Sequence, residues 1–108
     1  MGMVPKSWWV PTQRGNTAAG MLLSDADDND IGGTTANEGN LISGNIRGMN
    51  ISNSDSNTIQ RNLIGTDVTG LLSIPNTNEG ILLTQALSNQ IGTAGNGNRI
   101  AFNSIGIN

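Results

Sequence analysis

Residues 48–67 read GMNISNSDSNTIQRNLIGTD, three short hydrophobic segments bounded by Gly, Asn, Asp and Ser. The same arrangement recurs before and after this stretch. In each copy an opening Gly lies nine residues before an Asn: Gly20 and Asn29, Gly48 and Asn57, Gly80 and Asn89. The remaining intervals vary, so the lengths of particular corners differ between units. Constant segments with insertions confined to corners predict a solenoid, in which every turn stacks on the one before it.

Alternating hydrophobic residues indicate strands rather than helices. Met49 and Ile51 flank Asn50, so the first two share one face and Asn50 lies on the other. The segments are too short, and too often interrupted by turn residues, for helices. We therefore predict an all-β fold, a right-handed parallel β-helix of about three turns. Its expected inner wall consists of Met21, Leu23, Ile31, Ile42, Met49, Ile51, Ile59, Ile64, Ile81, Leu83, Ile91, Ile100 and Ile107.

Asparagines at the corners should form two stacks along the axis of the solenoid. Side-chain amides that repeat in register can hydrogen-bond from one turn to the next. The first predicted stack is Asn29, Asn57 and Asn89, and the second is Asn40, Asn62 and Asn98.

The chain divides into an arm, residues 1–19, and the repeats, residues 20–108. Both tryptophans, Trp8 and Trp9, fall in the arm. Repeat folds need their ends covered, so we expect the arm to cap the core. The alternatives are a stacking platform for a sugar or base, and an arm without fixed structure.

Three motifs resemble bacterial right-handed parallel β-helix repeat proteins of the pectin-lyase-like group. They are NDIGGTTA (29–36), EGNLISGN (38–45) and NLIGTDVTG (62–70). The resemblance covers residues 20–108 and implies the fold and an extracellular or cell-surface location, although the chain begins without the form of a signal peptide. It leaves function open, because lyases, hydrolases, adhesins and other exoproteins share this architecture.

Composition excludes several classes of function. A formal net charge of -3, with only five scattered basic residues, argues against nucleic-acid binding. No apolar run is long enough to span a membrane. The absence of His and Cys removes the commonest general base and all thiolate chemistry. We expect no catalytic residues and no cofactor.

The acidic run around Asn29 is the strongest candidate for a metal site. Its members are Asp25, Asp27, Asp28 and Asp30. Alternating oxygen ligands are typical of calcium loops, but Asp30, followed by Ile31, occupies the place of the essential Gly of an EF-hand, and position twelve is Ala36. The equivalent corners elsewhere are much less acidic. We interpret the run as a repeat corner, with weak Ca²⁺ binding as the alternative.

Asp67 begins the longest corner, which extends to Glu79. Long loops on a rigid scaffold often carry function, and Asp67 is a candidate ligand-binding residue. With Glu79 or Glu38 it would form the carboxylate pair of a glycosidase, whereas an Asp in a turn more often accepts hydrogen bonds from backbone amides. The resemblance implies lyases that use an Arg or Lys base beside carboxylate-bound Ca²⁺. Arg61 and Arg99 have no matching acidic cluster.

A short solenoid leaves unpaired strand edges at its ends. We therefore predict self-association, either through the ends, at Ile105 and Ile107, or along one exposed leucine face. The residues of that face are Leu22, Leu41, Leu63 and Leu82. The predicted function is a non-catalytic structural or interaction module that forms homo-oligomers. The alternative is a carbohydrate-binding module, or a fragment of a polysaccharide lyase, hydrolase or adhesin.

Overall fold

A computed structural model describes residues 18–35 and 37–108 of the chain. Within these residues the chain forms ten strands and no helix. The strands are β1 (Ala19–Ser24), β2 (Asp30–Gly32), β3 (Leu41–Ile42), β4 (Arg47–Ser52), β5 (Thr58–Gln60), β6 (Leu63–Ile64), β7 (Glu79–Thr84), β8 (Gln90–Ile91), β9 (Arg99–Ile100) and β10 (Ile105–Ile107). The predicted roles of Trp8 and Trp9 fall outside the described residues.

The strands stack into three parallel sheets. The first has the order β1-β4-β7-β10, the second β2-β5-β8 and the third β3-β6-β9. Each coil therefore contributes one strand to every sheet: β1–β3 form the first coil, β4–β6 the second and β7–β9 the third. β10 starts a fourth coil. This arrangement confirms the predicted all-β parallel β-helix of about three turns.

The registers of the sheets place the predicted inner-wall residues above one another. One row is Met21, Met49 and Ile81, and another is Ile31, Ile59 and Ile91. The middle coil is fully enclosed, since the side chains of Met49, Ile51, Ile59 and Ile64 are 0% exposed. Neighbours above and below exclude water from these side chains, which is the main source of stability in a core of Ile, Leu and Met.

Ile107 occupies its predicted inner-wall position, but it is not buried. Ile107 pairs in register with the buried Ile81, yet 48% of its surface is exposed. The reason is its position at the end of the stack, where no described residue covers it from below. The equivalent wall residues of the third coil, Leu83, Ile91 and Ile100, are partly exposed for the same reason.

The corner between the first and second sheets has the same backbone in all three coils. Its first residue has a positive φ of 48–52°, at Asp25, Asn53 and Gln85. Its fourth residue also has a positive φ, of 57–59°, at Asp28, Ser56 and Ser88. Non-glycine residues rarely adopt this left-handed conformation, although Asn and Asp tolerate it best. The polar composition of the corners thus follows from their backbone geometry.

Candidate functional site

Asparagine side chains connect the coils at three corners. The two predicted stacks, Asn29–Asn57–Asn89 and Asn40–Asn62–Asn98, are both present. A third stack consists of Asn45, Asn76 and Asn103. Sequence reasoning missed Asn76, because it precedes the next opening Gly by four residues while Asn45 and Asn103 precede theirs by three. We call these three stacks the asparagine ladders.

Every ladder has the same direction. The Oδ1 atom of Asn57 accepts the backbone N–H of Asn29 at 2.8 Å, and Oδ1 of Asn89 accepts that of Asn57 at 2.9 Å. Each side-chain oxygen thus accepts a hydrogen bond from the backbone of the preceding coil. The side-chain amides also donate to main-chain carbonyls, as Asn57 does to Ala26 at 3.1 Å. Among the described residues no buried side-chain nitrogen or oxygen lacks a partner.

The carboxylates of the acidic corner form another ladder, separate from the three asparagine ladders. Oδ1 of Asp27 accepts the backbone N–H of Asp55 at 2.8 Å, and Oδ1 of Asp55 accepts that of Leu87, also at 2.8 Å. Asp25 accepts a hydrogen bond from the side chain of Asn53. In residues 18–35 and 37–108 no three acidic side chains lie close enough to hold a metal ion together. The contacts that the structure shows for Asp25, Asp27 and Asp55 are hydrogen bonds to a neighbouring coil.

Asp67 organises the long corner between β6 and β7. Its Oδ1 atom accepts the hydroxyl of Thr69 at 2.6 Å, the N–H of Thr69 at 3.1 Å and the N–H of Leu72 at 3.2 Å. The Thr69 hydroxyl, helped by the backbone amides, holds the pKa of the Asp67 carboxyl below its ordinary value. Within the corner, Thr66 and Ser73 also pair through an antiparallel β-bridge.

Both predicted partners of Asp67 have contacts of their own in the fold. Oε1 of Glu38 accepts the N–H groups of Thr34 and Thr35, both at 3.0 Å, and the bond from Thr35 is the main cause of its lowered pKa. Glu79 is buried and pairs with Arg47, with 3.0 Å between Nε and Oε1. The Glu38 carboxylate thus stabilises its own turn, and the Glu79 carboxylate stabilises the contact with Arg47.

A groove of about 370 Å³ lies on the third sheet. Leu41, Leu63 and Arg99 form one row of this sheet, and Val68 of the long corner lies beside them. Arg61 also lines the groove, with its guanidinium directed to Oδ1 of Asn96 at 2.8 Å and to the carbonyl of Gly95 at 3.2 Å. Among the described residues that line this groove, none is acidic.

The predicted leucine face is not one surface. Leu22 and Leu82 lie in the first sheet, in one row with Asn50 between them. Leu41 and Leu63 lie next to each other in the third sheet. The prediction that all four share a face was wrong, because outward positions after different corners belong to different sides of the coil.

Several exposed apolar side chains lie near the C-terminal end of the stack. Phe102, Ile105 and Ile107 are 46–50% exposed, and Leu87 of the third coil is also exposed. The backbone N–H groups of Asn89, Asn98 and Asn103, which end the three ladders, donate to no oxygen of the described residues. We call this surface, with these four apolar side chains and three N–H groups, the C-terminal face.

Comparison of the chain with models of known families, with curated proteins and with solved structures finds no match. Within the described ranges no helix is long and apolar enough to cross a membrane.

Proposed function

We propose that this chain is a non-catalytic structural or interaction module that associates with copies of itself through its C-terminal face. The observation that carries the proposal is the uncovered end of the core. Leu83, Ile91 and Ile100 occupy inner-wall positions yet remain partly exposed, and Ile107 is about half exposed. Burying such apolar surface is the main driving force of protein association.

The strand edges at this end support the same proposal. β8, β9 and β10 are the last strands of their sheets, and their outer edges have no neighbouring strand among the described residues. An unpaired edge next to exposed apolar side chains is a template for another strand. Natural proteins protect such edges with charges or Pro, and β10, with the sequence Ile105–Ile107, contains neither.

The use of the polar side chains supports a non-catalytic role. The carboxylates of Asp27, Asp55 and Asp67 accept backbone N–H groups, and Glu79 pairs with Arg47. A general acid–base mechanism needs a carboxylate directed towards a substrate. These contacts are why we propose a non-catalytic role.

From the motifs quoted above, we also propose a relationship to the bacterial pectin-lyase-like repeat proteins and a location outside the cell or on its surface.

The proposal is tested by measuring mass in solution. Light scattering after size exclusion, over a wide range of concentrations, should give masses above the 11.2 kDa of the monomer. The variant Ile107→Lys puts a charge on the C-terminal face and should lower the mass. The control Leu72→Lys changes another exposed apolar side chain, in the long corner, and should assemble like the unchanged protein. A folded protein that stays monomeric at every concentration would refute self-association.

Carbohydrate binding is the second candidate function, and the groove on the third sheet favours it. Arg61 and Arg99 provide hydrogen-bond donors there, and Leu41 and Leu63 provide apolar surface. Sites for small ligands typically combine these features. Titration with a panel of neutral and acidic oligosaccharides should broaden the NMR signals of these residues if the groove is the site. Unchanged spectra at millimolar glycan would rule this function out.

A further inference from the structure

Asn96 differs from the asparagines of the ladders in its surroundings. It is the only Asn of the chain that is followed by Gly. It lies in the corner between β8 and β9, where its backbone N–H donates to the carbonyl of Thr93 at 2.9 Å. Gly97 is exposed, and a Cβ added to it would meet nothing within 4 Å. The peptide bond between Asn96 and Gly97 therefore lies in an open turn rather than against a neighbouring coil.

Two nitrogen atoms of this turn have no hydrogen-bond acceptor among the described residues. They are the backbone nitrogen of Gly97 and the side-chain Nδ2 of Asn96. In a ladder, by contrast, Nδ2 of Asn57 donates both to the carbonyl of Ala26 and to Oδ1 of Asn89. A backbone nitrogen that directly follows an unrestrained side-chain amide is well placed for an intramolecular reaction with it.

The side-chain oxygen of Asn96 contacts a cation. Nε of Arg61 donates to Oδ1 of Asn96 at 2.8 Å, and Nη2 of Arg61 donates to the carbonyl of Gly95 at 3.2 Å. These two hydrogen bonds hold the guanidinium against the turn. A positive charge at an amide oxygen polarises the C=O bond, and it stabilises the negative charge that develops on the oxygen when a nucleophile attacks the carbon. Arg61 is therefore placed to promote attack at Cγ of Asn96.

We propose that Asn96 and Gly97 form a site of spontaneous deamidation that Arg61 promotes. The backbone nitrogen of Gly97 attacks Cγ of Asn96 and forms a C–N bond. The side-chain nitrogen of Asn96 leaves as ammonia, taking up the proton that the Gly97 nitrogen loses. The resulting cyclic imide, a succinimide, then adds water and opens at either of its carbonyl carbons, which gives aspartate or isoaspartate. Water is the only co-reactant.

The reaction changes the charge of the groove on the third sheet. Arg61 and Arg99 are the cationic residues among those that line this groove, and neither pairs with a carboxylate of the described residues. Deamidation adds one negative charge to the formal net charge of -3. The new carboxylate forms beside the guanidinium of Arg61 and pairs with it, so that Arg99 alone remains unpaired. The unmodified and modified chains thus present grooves of different charge, independently of the proposed self-association.

The test measures deamidation at individual asparagines by mass spectrometry. The protein is incubated at mildly alkaline pH and digested with trypsin, which cuts after Arg61 and Arg99. Fragment 62–99 contains residue 96 together with Asn76 and Asn89, which serve as internal references from the ladders. A sample digested before incubation corrects for deamidation during digestion. We expect residue 96 to react at least about tenfold faster than the two references, because ladder residues react only after local unfolding.

Variants separate the two parts of the proposal. Gly97→Ala should slow the reaction about tenfold or more, since a Cβ hinders the approach of the nitrogen and restricts the backbone. Arg61→Gln should slow it about three- to tenfold through the loss of a charge-assisted hydrogen bond, and Arg61→Lys, which keeps the charge, should retain part of the rate. Arg99→Gln is the matched control, because it removes the other guanidinium of the groove and should leave the rate unchanged. Circular dichroism verifies that every variant keeps its strands.

The opposite results overturn the inference. Equal rates at residue 96 and at the two references would show that the turn is not a modification site. An unchanged rate in Gly97→Ala would mean that the side-chain amide is hydrolysed without ring closure. A rate in Arg61→Gln that equals or exceeds that of the unchanged protein would show that the guanidinium does not promote the attack. None of these results bears on self-association, which the mass in solution tests separately.

Discussion

Oδ1 of Asn89 accepts two hydrogen bonds from Asn57, one from the backbone N–H and one from the side-chain amide, each 2.9 Å long. Asn57 in turn accepts the backbone N–H of Asn29. A single buried side chain therefore ties three coils together. The corners of the second coil are held by the amide groups of Asn57, Asn62 and Asn76, which have no access to water. The loss of one such group leaves several hydrogen-bonding partners unsatisfied.

Asn57→Ala should destabilise the fold strongly. The substitution removes the acceptor of the Asn29 N–H and the donor to the carbonyl of Ala26 at a position that is 0% exposed. Each buried polar group left without a partner costs about 1–3 kcal/mol, so we expect a loss of at least ~2 kcal/mol in urea denaturation. Asn29→Ala, at the exposed start of the same ladder, is the control and should cost less than ~1 kcal/mol. Equal losses for the two variants would contradict the ladder as a source of stability.

Gly39 and Gly97 occupy equivalent positions two coils apart and should respond differently to alanine. A Cβ at Gly39 would lie 1.8 Å from the carbonyl oxygen of Arg61 in the next coil, whereas a Cβ at Gly97 meets nothing within 4 Å. Gly39→Ala must shift the backbone and should cost about 1–3 kcal/mol, as overpacking does. Gly97→Ala should leave the melting temperature close to that of the unchanged protein. Thermal denaturation of both variants measures the difference. A substantial loss at Gly97 would mean that another coil covers this position in solution.

The contribution of Asp67 to stability should disappear in acid. Its pKa in the folded protein lies below the ordinary value of 3.8, chiefly because the Thr69 hydroxyl donates to it. Protonation therefore favours the unfolded chain, and the stabilisation is complete above the unfolded value and is lost as the pH falls through the lower folded one. Urea midpoints of the unchanged protein and of Asp67→Asn should differ at pH 6 and converge towards pH 2.

Thr69→Val provides the companion measurement for Asp67. It removes the main cause of the lowered pKa while leaving the carboxylate in place. This variant should show a smaller loss of stability between pH 6 and pH 2 than the unchanged protein. An identical pH profile would show that the hydroxyl does not stabilise the ionised carboxylate.

Gln85→Asn should stabilise the third coil. Gln85 has a φ of +49°, and the equivalent residue of the second coil, Asn53, has a φ of +48° and donates from its side chain to Asp25. Asn tolerates the left-handed region better than Gln and can continue this contact, so we expect a gain of about 0.5–1 kcal/mol. Gln85→Val should lower the melting temperature, because β-branched residues are strained there. A lower melting temperature for Asn would contradict this explanation of the corner.

Much of the fold was predictable because it repeats. Nine-residue intervals from Gly to Asn and alternating Ile and Leu residues predicted three parallel sheets, the core rows and two of the three asparagine ladders. The third ladder was incomplete in the sequence because one additional residue separates Asn76 from Gly80. A search for constant spacing misses a position that is shifted by one residue, whereas the backbone can absorb the additional residue as a local bulge.

The candidate site was less predictable, because it depends on which groups already have partners. The sequence places an acidic run at 25–30 and Asp67 in a long corner, and both patterns suggested ligands. Only the fold shows that Asp27 accepts the N–H of Asp55 and that Asp67 accepts the N–H groups of Thr69 and Leu72. Hydrogen bonds between residues 28 positions apart cannot be inferred from composition.

The sequence by itself determined the architecture of this protein, since the period of its hydrophobic residues and the left-handed tolerance of Asn, Asp and Gly allow few other ways to bury the core. The tertiary structure alone decided the direction of the ladders and the difference between the two ends of the stack. Direction depends on whether an Asn oxygen reaches the coil before it or the coil after it. That choice is a matter of side-chain geometry in three dimensions, and the order of residues does not record it.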